Sequence, residues 1–211
     1  MSAIRWSAVL TLSVSMVLGG CVSTGGSGGL GGGDFADAPA RLAPLAAGRF
    51  VLSAPLTFVD ATDREWRAPV GTLTDGASIP EPFLPLIGAR LDRRWRDAAI
   101  IHDAYCARAN HYLPGWRSLP WEAVHRMFYD ALLAGGTPPL RALVMYAAVY
   151  LGGPRWDDPA RALDEVDASL LRRELVRCIR WIERERPDAE AVEIWMRERE
   201  PSLLAAASSV R

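Results

Sequence analysis

Arg96-Asp97-Ala98-Ala99-Ile100-Ile101-His102-Asp103-Ala104-Tyr105-Cys106 is the stretch that decides the fold, because it reads as an apolar helix carrying an adjacent histidine and aspartate inward. No Gly or Pro interrupts residues 94–108, so a helix is expected there, and Pro114-Gly115 breaks the region that follows. Successive helical side chains point about 100° apart, so His102 and Asp103 face different partners. That geometry suits a division of labour, with His102 as a base and Asp103 holding a cation or a backbone amide, since imidazole titrates near neutral pH.

Downstream the sequence stays helical. A second helix starts near Ser118, with Pro120 in its first turn, Glu122 near its positive end, and Trp121, Val124, Phe128 and Ala131 as its apolar stripe. Gly135-Gly136 stops it. A third runs from Leu140 to Leu151, apolar on nearly every face, and should be the central buried helix. Asp158-Pro159 opens a fourth, with Leu163, Val166, Leu170, Leu171, Leu175, Cys178 and Ile182 along one side and Pro187 as its end. Asp188 can cap a last short helix, and the tail after Pro201 should fray.

Upstream, short β-branched and aromatic runs alternate with turn residues: Phe50 to Leu52, Leu56 to Val59 and Glu65 to Ala68, with Ala61-Thr62-Asp63 as a turn. Thr74-Asp75-Gly76-Ala77-Ser78-Ile79-Pro80 then reads as a fixed, non-helical loop, since Pro80 keeps Ile79 extended. The expected fold class is α+β: a small antiparallel sheet over about 49–75 packed on a helical layer of three helices. The domain spans 49–156, and 157–211 adds a C-terminal helical arm.

The first residues read as an export signal. Arg5 gives a positive start, Val9 to Leu18 an apolar segment, and Leu18-Gly19-Gly20-Cys21 a small-residue cleavage site ending on cysteine. This resembles a bacterial lipobox. The resemblance implies a signal peptide over 1–20, lipidation of Cys21, and a cell-envelope protein whose membrane partner is reached through its lipid anchor. Residues 21–48, rich in Gly, Ser, Ala and Pro, would form a flexible tether. Export also opens the choice between a Cys106–Cys178 disulfide and two buried free thiols. The net charge is −1, and all 24 basic residues are arginines interleaved with carboxylates; no basic face points to nucleic acid. Nothing in the sequence names a protein partner.

His125 lies on the edge of the second helix's apolar stripe, where it can face His102 across a helix pair. With Asp75 arriving from the rigid loop, the catalytic candidates are His102, Asp103 and His125, and the metal candidates Asp75, Asp103 and His125. Their donor types would suit a divalent cation such as zinc or calcium, although the spacing matches no compact metal motif. The alternative is that both histidines are core-edge residues bonded to carboxylates and that Asp75 caps its loop. Two nucleophiles compete weakly with the His-Asp reading: Ser78, which sits in turn chemistry, and Cys106, one turn after His102.

The order Thr74-Asp75-Gly76-Ala77-Ser78-Ile79-Pro80, then Ala98 to Asp103 with Tyr105, then a helix like Glu122 to Leu133, resembles the bacterial and phage family catalogued as domain of unknown function 1353, over about residues 49–156. The resemblance implies the fold region but carries no activity. Where that family's second helix usually reads Ala-Asp, this chain has Val124-His125. A fainter likeness of arrangement is to phospholipase A2-type enzymes, in which a helical histidine activates water and the next aspartate holds calcium. The glycine-rich calcium loop of those enzymes is missing before His102. Two functions therefore stand as expectations: an envelope lipoprotein with a hydrolase-like His-Asp site, or a non-catalytic envelope or prophage-derived accessory protein whose His/Asp cluster is structural.

Overall fold

The computed structural model describes residues 32–76 and 92–208, with Phe83 and Ile87 between them. The signal segment, Cys21 and Ser78 lie outside the described residues. The architecture is α+β. Six strands, β1 (Gly33–Phe35), β2 (Leu42–Pro44), β3 (Phe50–Leu52), β4 (Leu56–Asp60), β5 (Glu65–Ala68) and β6 (Leu73–Thr74), precede the helices. They form two antiparallel three-stranded sheets, ordered β1-β4-β5 and β2-β3-β6, where one was expected. The division falls at Ser53-Ala54-Pro55: proline has no N–H to donate to a ladder, so β3 and β4 do not run on as one strand.

Residues 33–35 and 42–44, read as tether, each add an edge strand instead. Their pairing rests on backbone geometry that three-residue strands cannot announce by alternation. Gly33 lies opposite Asp60, so close that a Cβ there would stand 2.6 Å from the Val59 carbonyl oxygen and 2.7 Å from the Phe58 ring. The predicted turn after β4 is present and has a clear cause. Asp60 accepts hydrogen bonds from the Thr62 and Arg64 N–H groups and from the Trp66 indole.

Helix α1 (Arg96–Cys106) is buried at every residue from Asp97 to Cys106. It lies against β4, β5 and β6 on one side and α2 (Trp121–Ala134) on another, and its small Ala98, Ala99 and Ala104 allow that approach. Helix α2 in turn packs on α3 (Pro139–Gly152), whose residues 142–151 are all buried. The central helix is thus where the sequence placed it. Helices α4 (Ala168–Glu185) and α5 (Ala189–Arg197) cover the far side of α3. Among the described residues, no helix is long and apolar enough to cross a membrane.

Two expectations about the arm change. Asp158-Pro159 opens only a single 3-10 turn (Pro159–Arg161), and α4 begins ten residues later, where the Asp167 carboxylate accepts the Ser169 and Leu170 N–H groups. Leu163 and Val166 still join the core from irregular chain. The residues after Pro201 do not fray; they continue a helix, α6 (Glu200–Ser208), because Glu200 is buried against Arg155 and Arg161 and Leu203 packs inward. Asp188 caps α5 as read, accepting the Ala191 N–H.

Asn110, fully buried just after α1, joins the helical layer to the sheet. Its Oδ1 accepts the Leu73 N–H at 2.8 Å, and its Nδ2 donates to the carbonyls of Leu73 and Asp103, both at 2.9 Å. Asn110→Ala is therefore expected to cost on the order of 3 kcal/mol, since it strands buried backbone groups on both elements. Urea unfolding measures it; a midpoint close to wild type would mean that water replaces the amide.

Candidate functional site

The polar centre lies where α1 meets α2. His102 Nε2 stands 3.0 Å from His125 Nδ1, so the histidine pair anticipated across two helices is real. One turn along α1, the Cys106 sulfur lies 3.4 Å from His102 Nδ1 and 3.6 Å from Nε2. Phe128 and Trp121 flank the rings, and His102, His125 and Cys106 are all buried. Burial controls their chemistry. It holds His102 down at about 3, and pushes His125 well below the usual imidazole range, helped by the neighbouring His102 and Arg155. It raises the Cys106 thiol well above the usual cysteine range, with the Asp103 carboxylate acting in the same sense. At neutral pH the three groups are uncharged.

Asp103 points elsewhere, as its position one residue on requires. Its Oδ2 accepts the Thr74 hydroxyl at 2.7 Å, and the Thr74 oxygen accepts the Gly76 N–H at 3.0 Å. The loop is thereby fastened to the helix. Thr74, Asp75 and Asp103 line a cleft of about 460 Å³, with the exposed Arg49 and Arg108 also on its wall.

The candidate residues therefore divide into two sets. His102 and His125 are brought together inside the core, while Asp75 and Asp103 front the cleft. One oxygen of Asp103 also comes within 4.8 Å of a His102 nitrogen and the Cys106 sulfur, which makes these three, among the described residues, a group able to share a metal ion. Of the metal candidates Asp75, Asp103 and His125, only Asp103 belongs to that trio. Cys106 and Cys178 are both free and buried. The bridge held open by the sequence is not formed, for a simple reason: α1 packs on α2 and the strands, whereas α4 packs on α3 and α5.

Four contributors escaped the sequence reading: Thr74, Asn110, Gly153 and Arg155. Thr74 was visible as the first residue of the quoted loop, but its hydroxyl acts across 29 positions. Gly153 is needed because a Cβ there would meet His125 Nε2 at 2.7 Å and the Val149 carbonyl oxygen at 2.3 Å. Only its place after an apolar helix marked it. Arg155, also buried, lies over the Trp121 ring that flanks His125.

Known proteins add kinship without chemistry. The chain is 38% identical over 106 residues to the uncharacterized protein y4iH of Sinorhizobium fredii, which covers 50% of this chain and 41% of that protein. It is 35% identical over 134 residues to the uncharacterized protein y4jT of the same organism, covering 64% of this chain and 36% of that one. The chain thus spans about two-fifths of the length of these relatives. No solved structure matches it. Residues 50–149, which hold β3 to β6, the histidine pair and most of α3, match the family described as protein of unknown function (DUF1353).

Proposed function

We propose that this chain is a lipid-anchored protein of the bacterial envelope whose family domain is a non-catalytic accessory module, its histidine cluster serving as an internal staple. One observation carries the choice against a hydrolase. His102, the only base the His-Asp reading offers, is 2% exposed and faces His125 and Cys106 instead of a cleft. A general base must reach its substrate's proton and titrate near the working pH. His102, held at about 3, does neither. The cleft beside Asp75 and Asp103 is the face where a ligand or partner would meet the module. Anchoring is supported by the Leu18-Gly19-Gly20-Cys21 motif and its preceding apolar segment.

Two measurements on the full chain test this function. Fractionation of cells labelled with a palmitate analogue should find the protein labelled and in the membrane fraction, with Cys21→Ser abolishing the label. Incubation with phospholipid vesicles and with peptidoglycan should give no turnover above background, and His102→Phe should change stability alone. Hydrolysis that disappears in a folded His102→Phe protein would restore the enzyme reading, and an unlabelled wild-type chain would remove the anchor.

A further inference from the structure

We propose that His102, Cys106 and Asp103 hold one buried zinc-type metal ion, with His125 as the fourth donor. The first ground is convergence: one nitrogen, one sulfur and one carboxylate oxygen lie within 4.8 Å of one another, all buried. The second is scale. Metal–nitrogen bonds of about 2.0–2.1 Å and metal–sulfur bonds of about 2.3 Å place the donors of a tetrahedral ion roughly 3.3–3.6 Å apart. The structure has 3.4 and 3.6 Å between Cys106 sulfur and the His102 nitrogens, and 3.0 Å between the two imidazoles. The His102–Cys106 spacing already fits, and the Asp103 oxygen, within 4.8 Å, and the His125 ring would swing in to complete the set.

The third ground is charge. A dication among aromatic and aliphatic side chains needs compensation, and the Cys106 thiolate with the Asp103 carboxylate supplies two negative charges. The fourth is His125 itself. Its Nε2 is buried with no well-formed hydrogen-bond partner among the described residues, and it lies on the side of the Pro154 backbone. Ion entry releases the thiol proton to solvent. With the shared proton carried by His125 Nδ1, its shift to Nε2 on the Pro154 side leaves His125 Nδ1 and His102 Nε2 both free to coordinate, His102 keeping its own proton on Nδ1.

Donor type selects the ion. Sulfur and imidazole with a single carboxylate suit zinc or its cobalt substitute; calcium takes six to eight oxygens and does not fit. Because all three donors are buried, the ion sits inside the fold, and the role is structural.

The test is to produce the full chain in cells grown with zinc, and separately with cobalt. About one zinc per folded chain is expected. The cobalt protein should show thiolate-to-metal absorption in the near ultraviolet, lost in Cys106→Ser and kept in Cys178→Ser. A folded chain that carries no metal overturns the proposal, as does thiolate absorption that survives Cys106→Ser. Should that variant fail to fold, the wild-type spectrum decides alone: bound cobalt without thiolate absorption overturns the site, and its presence with loss of absorption in His102→Phe supports it.

Discussion

Taking the metal-free protein from pH 7 to pH 4 is expected to cost about 3 kcal/mol through His102 alone. The unfolded chain binds a proton at this residue with a pKa of about 6.5, whereas burial holds the folded value near 3. The native contribution is therefore complete above pH 6.5 and is lost as pH falls toward 3, because only the unfolded state takes up the proton in that window. His125, displaced in the same direction, steepens the fall. Urea unfolding in the presence of a chelator, repeated every half unit, reads the slope directly. His102→Phe should flatten it, and a stability constant between pH 6.5 and 4 would show that water reaches the rings in the native state.

Removing the Glu200 carboxylate is expected to be as damaging. The Arg155 guanidinium has no exposed side-chain surface, and Glu200 meets it at 2.9 Å. Arg155 also donates to the Tyr150 and Arg161 carbonyls and lies over the Trp121 and Tyr150 rings. Glu200 accepts in addition from Arg161 at 2.7 Å. Glu200→Ala leaves a buried cation without its counter-charge, a defect that costs about 3–5 kcal/mol. For a chain of this size that lowers Tm by roughly 6–20 °C. The paired replacement of Arg155 by Met and Glu200 by Leu should recover most of the loss, since it removes both charges together. Equal destabilisation in the single and paired variants would mean that packing, not charge, dominates the joint.

What the sequence made visible follows from the range over which each interaction acts. Helices α1 to α3 were legible because their apolar residues recur at helical spacing and Gly or Pro punctuates their ends. The α1–α2 histidine pair was legible for the same reason, since His125 stands on the edge of a stripe that must face α1. Cys106 beside His102 follows from one helical turn. The strands at 33–35 and 42–44 were not legible, because what holds them is a ladder to distant partners and a glycine under the Phe58 ring. Helix α6 was hidden in a similar way: Ala-rich chain after a proline looks like a tail until Glu200 finds two arginines that lie 39 and 45 positions earlier. Asp75 was expected to join the histidines and instead fronts the cleft, since Thr74 takes the contact with Asp103 and turns the next residue outward.

The segment shared with the family ends inside α3, and this has a practical meaning for dissecting the chain. Every residue from 142 to 151 is buried, yet α2 can shield only one side of that helix. The other side is roofed by α4 and α5, and Glu200 pins the roof from beyond them. A fragment cut at residue 156 would therefore end in a helix with a bare oily flank, sticky toward membranes and toward its own copies. The arm is a lid that travels with the domain, and boundaries drawn from kinship alone would discard it.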